Sequence, residues 1–112
     1  MTTMPLRKGE LVWLSFDPTI GSEQAGYRPA LVVSSDDYLK VIPRLVVVAP
    51  ITNKDRLLPH HVEVPGSATN KVQGFVMTEQ LRTVDTRRIK KRAGFLPQEQ
   101  QEQVQSWVKI WI

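Results

Sequence analysis

The chain has 112 residues, 41% of them hydrophobic, no cysteine, and 15 Lys and Arg against 11 Asp and Glu for a formal charge of +4. That length fits one domain, residues 1–112, with a real apolar core, and the missing cysteines exclude disulfides and thiolate chemistry. The moderate basic excess favours an anionic partner such as nucleic acid or an acidic protein segment, and with no apolar run long enough to span a bilayer and no apolar signal core in Met1–Gly9, a cytoplasmic chain without membrane contact is expected.

In chain order, Leu11–Phe16 reads as the first strand, an apolar and aromatic run ended by Asp17-Pro18. A polar loop follows, in which Gly21 and Gly26 permit unusual backbone and Pro18 and Pro29 stiffen the ends. Ala30–Ser34 and Leu45–Ile51 are the next strands, and Val62–Val64, Gly74–Met77 and Leu81–Val84 are weaker ones of the same kind. Thr86–Arg92 carries five positive charges and reads either as a solvated basic turn or as a grip on RNA backbone. The chain ends in a predicted helix with Pro97 in its first turn and Val104, Trp107, Val108 and Trp111 on one stripe. Many short strands and one terminal helix predict a mainly β protein, a small barrel carrying a C-terminal helix.

The chemistry concentrates in the loop, where Glu23, Gln24, Tyr27 and Arg28 run straight into a strand. One carboxylate and one guanidinium five positions apart can move a proton and stabilise negative charge developing on a phosphate. Glu23 suits either the base or an ion pair that orients Arg28, and the residues alone do not separate these roles. Gln80 and Arg82 alternate on an expected strand, so one groove would receive an amide for a base edge and a charge for a phosphate. Phe16, Tyr27 and Trp13 are candidates for stacking unpaired bases, although Trp13 alternates with Leu11 and fits the core better. His60 and His61 are adjacent, which on a strand sends them to opposite faces and away from a shared site. No spacing of His, Cys or carboxylates reads as a metal site, so neither metal nor cofactor is expected.

Taken together, Asp17–Ser34 (D-P-T-I-G-S-E-Q-A-G-Y-R-P-A-L-V-V-S), Ala49-Pro50-Ile51-Thr52, Pro59–Val64 and Glu79–Asp85 resemble the MazF/PemK family of toxin endoribonucleases over nearly the whole chain. The resemblance implies an SH3-like β-barrel with a C-terminal helix, paired into a homodimer. It also implies metal-independent cleavage of single-stranded RNA by 2′-OH attack, leaving 2′,3′-cyclic phosphate and 5′-OH ends and arresting growth. Glu23 and Arg28 match the family's catalytic loop, and Thr52 matches its strand-end threonine, which would contact the scissile phosphate or orient the hydroxyl. Phe16, Gln24, Tyr27, Gln80 and Arg82 would contact RNA; Tyr27 stands where relatives carry histidine or a small residue, which removes imidazole-assisted proton transfer from that position. The implied partner is a MazE-like antitoxin whose acidic, flexible C-terminal segment covers the RNA groove. Two other readings use the same residues: a CcdB-like gyrase poison acting through Trp107 and Trp111, and a barrel that binds nucleic acid without cutting it.

Overall fold

In β1 (Glu10–Ser15), Leu11 and Trp13 share one face and Val12 and Leu14 the other, and Leu11, Val12 and Leu14 are fully buried. A strand buried on both faces must lie between two cores. The structure, a computed structural model, describes residues 4–16, 27–69 and 71–112, and it contains both cores. One gathers Leu11, Leu31, Ala49, Ile51, Val62 and Val76 against Val104 and Val108 of the terminal helix. The other gathers Val12, Leu14, Ala30, Val32, Val46, Val48 and Val84, with Phe16 and Ile89 at its margin.

The remaining strands are β2 (Tyr27–Val32), β3 (Leu45–Thr52), β4 (His61–Val64), β5 (Gly74–Met77), β6 (Arg82–Asp85) and β7 (Ile89–Phe95). All recorded pairings are antiparallel, in the order β4-β5-β3-β2-β1-β7, with β6 joining β3 beside β5. The expected mainly β fold with a terminal helix is therefore what forms, barrel-like in its two-sided burial. Helix α1 (Asp36–Val41) had no apolar signature in the sequence; Ser35 caps it by accepting from the Tyr38 amide at 3.0 Å. Helix α2 (Gln98–Trp111) follows Pro97, which sits at the cap rather than inside the first turn. Of its stripe, Val104 and Val108 are buried, Trp107 packs against the core, and the partly exposed Trp111 donates its Nε1–H to the buried Thr78 Oγ1 at 3.2 Å.

The basic run is neither a plain turn nor a plain RNA grip. Thr86–Arg88 makes one turn of 3-10 helix capped by Asp85, and Ile89–Arg92 opens β7. The charges had hidden the strand. A register shift between Trp13↔Lys91 and Leu14↔Ile89 puts Lys91 and Ile89 on opposite faces of β1's neighbour, so the alternation that would announce a strand is broken.

Candidate nucleic-acid interface

The candidate residues gather at one end of the sheet because antiparallel strands bring alternate ends together. The C-terminal end of β1, the first residues of β2 and the last of β3 lie there, and β6 begins at Arg82 opposite Val48, four residues short of Thr52. β2 and β3 pair Ala30↔Pro50, and Arg28 and Thr52 each lie two residues beyond that pair, toward the same end of the sheet. Both share the parity of Ala30 and Val48, so they crown the same core. Arg82 belongs to that face as well, its guanidinium carbon 4.8 Å from the centre of the Phe16 ring, a cation–π contact. Arg28 is exposed, and Thr52 Oγ1 accepts from the Lys54 amide at 3.2 Å. Gly74 is what lets Thr52 sit there: its φ is +131°, and a Cβ on it would lie 2.3 Å from the Thr52 carbonyl oxygen. Glu23 and Gln24 belong to the segment joining Phe16 to Tyr27, which lies outside the described residues.

Two expectations change. Gln80 is not on the strand with Arg82; it lies in the turn before β6, its amide bonded to the Met77 carbonyl at 3.1 Å. Tyr27 has the opposite parity to Arg28 and faces the other side of the sheet. There it joins Trp13, Lys71, Lys90, Lys91, Arg92 and Ala93 around an open groove of about 730 Å³. Trp13 packs on the core beside Leu11 and also lines that groove. Lys71, Lys90 and Lys91 were not singled out individually by sequence reasoning. For Lys91, its pairing with Trp13 is the signal that an intact strand alternation would have supplied.

The histidines also differ from expectation. His60 is in the turn that precedes β4 and only His61 is in the strand, so the alternation rule does not separate them. Both reach Glu79: His61 Nε2 lies 3.1 and 3.2 Å from its two carboxylate oxygens, and His60 Nε2 lies 3.5 Å from Oε1. Burial alone would raise the Glu79 carboxyl, but its own backbone N–H, the His61 hydrogen bond and the His61 charge outweigh that and hold it below its ordinary value. The His60 ring packs edge-on against His61, Trp107 and Trp111, so the helix tryptophans are engaged within the chain.

A barrel-like antiparallel sheet with arginine, aromatic and hydroxyl side chains on one rim and a lysine-lined aromatic groove behind it defines a small β protein suited to an anionic polymer. The chain belongs to the family of PemK-like, MazF-like toxins of type II toxin-antitoxin systems, whose profile matches residues 7–112. It is 32% identical over 109 residues to Endoribonuclease MazF of Staphylococcus saprophyticus, covering 94% of this chain and 89% of that one. Among solved structures, MazF (Form-I) from Deinococcus radiodurans matches with a TM-score of 0.79 at 31% identity, over 96% of both chains. The MazE-MazF complex (Form-III) from the same organism matches with a TM-score of 0.80 at 29% identity, over 96% of this chain and 95% of that one.

Proposed function

We propose that this chain is the toxin of a type II toxin-antitoxin pair, a cytoplasmic, homodimeric endoribonuclease that cuts single-stranded RNA at selected sequences and so arrests translation and growth. Its inhibitor is a MazE-like antitoxin with an acidic, flexible C-terminal segment. The observation that supports the reading is that Arg28 and Thr52 lie just beyond the Ala30↔Pro50 pair, on one face of adjacent strands and beside the ends of the Glu23 loop.

Cleavage by the ribose 2′-OH needs a base, a stabiliser for the phosphorane and an acid for the departing 5′-oxygen. Arg28 is the stabiliser, because a guanidinium stays charged and binds two phosphate oxygens at once. Thr52 offers its hydroxyl to the same phosphate, and at this solvent-exposed rim water supplies the proton to the departing 5′-oxygen. Glu23 takes the 2′-OH proton or holds Arg28 in place. Glu23→Gln separates the two, since a glutamine still anchors a guanidinium by hydrogen bonding but accepts no proton. Phe16, Gln24, Tyr27, Gln80 and Arg82 hold the bases and backbone on either side. The route uses the substrate's own hydroxyl as nucleophile and asks for no metal.

The test is incubation of purified protein with a long, structurally diverse RNA in excess EDTA, with cut sites mapped by primer extension and end groups by mass spectrometry. The expected result is discrete cuts ending in 2′,3′-cyclic phosphate, lost by about 10³-fold or more in Arg28→Ala, with folding and dimerisation unchanged. Full activity in that variant overturns the assignment of Arg28.

A further inference from the structure

We propose that His60, His61 and Glu79 form a binding site for a divalent transition cation of the zinc class, a role separate from RNA cleavage. The ligand atoms of these three residues all lie within 4.8 Å of one another, with His61 Nε2 at 3.1 Å and His60 Nε2 at 3.5 Å from the same Glu79 oxygen. Tetrahedral zinc with bonds of about 2.0–2.1 Å sets its ligand atoms about 3.3 Å apart. The two edges to Glu79 already match that spacing, while the set as a whole spans up to 4.8 Å, so binding draws the two imidazoles toward each other. The fourth position opens on the side of Glu79 and His60, whose side chains are 32% and 20% exposed, while the His61 side chain is 2% exposed.

The site is held rather than assembled. Thr78 Oγ1 donates to the His60 carbonyl at 2.7 Å and accepts from Trp111 Nε1 at 3.2 Å, which ties the turn before β4, the turn after β5 and α2 together. The His60 ring is braced edge-on by His61, Trp107 and Trp111, with centroids at 4.9, 5.9 and 5.5 Å. His61 Nδ1 is the buried side-chain nitrogen without a hydrogen-bond partner among the described residues, so the polar contacts of this imidazole run through Nε2. On binding, Nε2 exchanges its hydrogen bond with Glu79 for the metal, and the ring proton is left on Nδ1 without an acceptor among the described residues, a cost that the metal bond must exceed.

Two imidazoles and a carboxylate select zinc, nickel or copper over magnesium and calcium, which take oxygen ligands. Gln80 Nε2 donates to Glu79 Oε2 at 3.4 Å, so a cation on Glu79 sits one residue from the turn assigned to RNA recognition.

The experiment uses the full chain without a polyhistidine tag and involves no RNA. Zinc is titrated calorimetrically, and cobalt is followed by its visible absorption and by quenching of Trp107 and Trp111. The expected result is one cation per chain, indifferent to excess magnesium, with tetrahedral cobalt bands. His60→Gln and Glu79→Gln, both at partly exposed side chains, should each weaken binding by more than about 100-fold, since loss of a mere supporting contact already costs about 10–100-fold. Absence of saturable binding overturns the site, as does equal binding by wild type and both variants.

Discussion

Arg92 belongs to the basic run yet is committed to the fold, and replacing it tests that division. It pairs with the buried Glu10 carboxylate through Nε and Nη2, the latter at 2.9 Å from Oε1, and its other contacts are the carbonyls of Met4 and Pro5. The Glu10 side chain is 4% exposed and that of Arg92 30%. Arg92→Met keeps the length of the stem but strands a carboxylate inside the protein. Breaking a buried pair this way costs about 3–5 kcal/mol, and the partial exposure of Arg92 places this case near 3 kcal/mol. A domain of this length has about 5–15 kcal/mol of stability in all, so the loss is plain in urea denaturation at neutral pH. Glu10→Leu combined with Arg92→Met removes both charges together and should recover most of the loss, to within about 1 kcal/mol of wild type. A single variant within about 0.5 kcal/mol of wild type, or a double variant whose cost is the sum of its parts, refutes a structural role for the pair.

Lys90→Ala/Lys91→Ala is the opposite case: stability within about 0.5 kcal/mol of wild type, but a salt dependence of RNA binding shallower by about 1.4, for two lost phosphate contacts on a single strand. An unchanged slope removes these lysines from the interface. Gly74→Ala should cost about 2–4 kcal/mol, because it strains a left-handed φ and drives a Cβ into the Thr52 carbonyl, and should reduce cleavage by moving Thr52. Wild-type stability would show that the strand separation relaxes freely. The Glu79 carboxyl is held below its ordinary value, so its charged form stabilises the fold above about pH 4.5 and that contribution is lost as pH falls through the lower folded value. Glu79→Gln should therefore lower Tm at neutral pH and flatten its fall below pH 4.5, and an acid limb parallel to wild type argues against the linkage.

The strands that could be read from sequence were those whose apolar residues needed no help from context. Leu11–Leu14 and Val46–Ile51 are buried or half-buried on both faces, so they appear as continuous apolar runs. β7 escaped because Lys90, Lys91 and Arg92 occupy positions that an edge strand gives to solvent, a groove and an ion pair, and a register shift breaks its alternation. α1 escaped because it has no buried residue at all and rests on its Ser35 cap. At the site, the local motif around Arg28 was visible, but its sharing a sheet face with Thr52 depends on strand pairing between distant segments. The His60–His61–Glu79 cluster was misread for a single reason: Pro59 and His60 form a turn, so adjacency in sequence did not mean opposite faces. Pro59 was the sign that the strand had not yet begun.

Net charge is a poor measure of what this surface offers an anion, because the acids are not spread evenly over the bases. Asp85 accepts from Arg87 at 3.0 and 3.1 Å and has Arg44 at 3.6 Å, and the Arg87 hydrogen bonds hold its carboxyl well below the usual range. Asp36 lies 3.8 Å from Arg7, and Glu10 takes Arg92. Four arginines are thereby spent within the fold. Arg28 and Arg82 remain at the rim, and Lys71, Lys90 and Lys91 line the groove beneath Trp13 and Tyr27. Tyr27 is exposed there and Phe16 and Trp13 are half-buried beside these cations, so charge for phosphates and faces for bases coincide. An acidic segment laid along the same path meets cations that the fold has not already neutralised. That is the electrostatic condition for one polymer to displace another from a shared surface, and it follows from where the acids sit rather than from the formal +4.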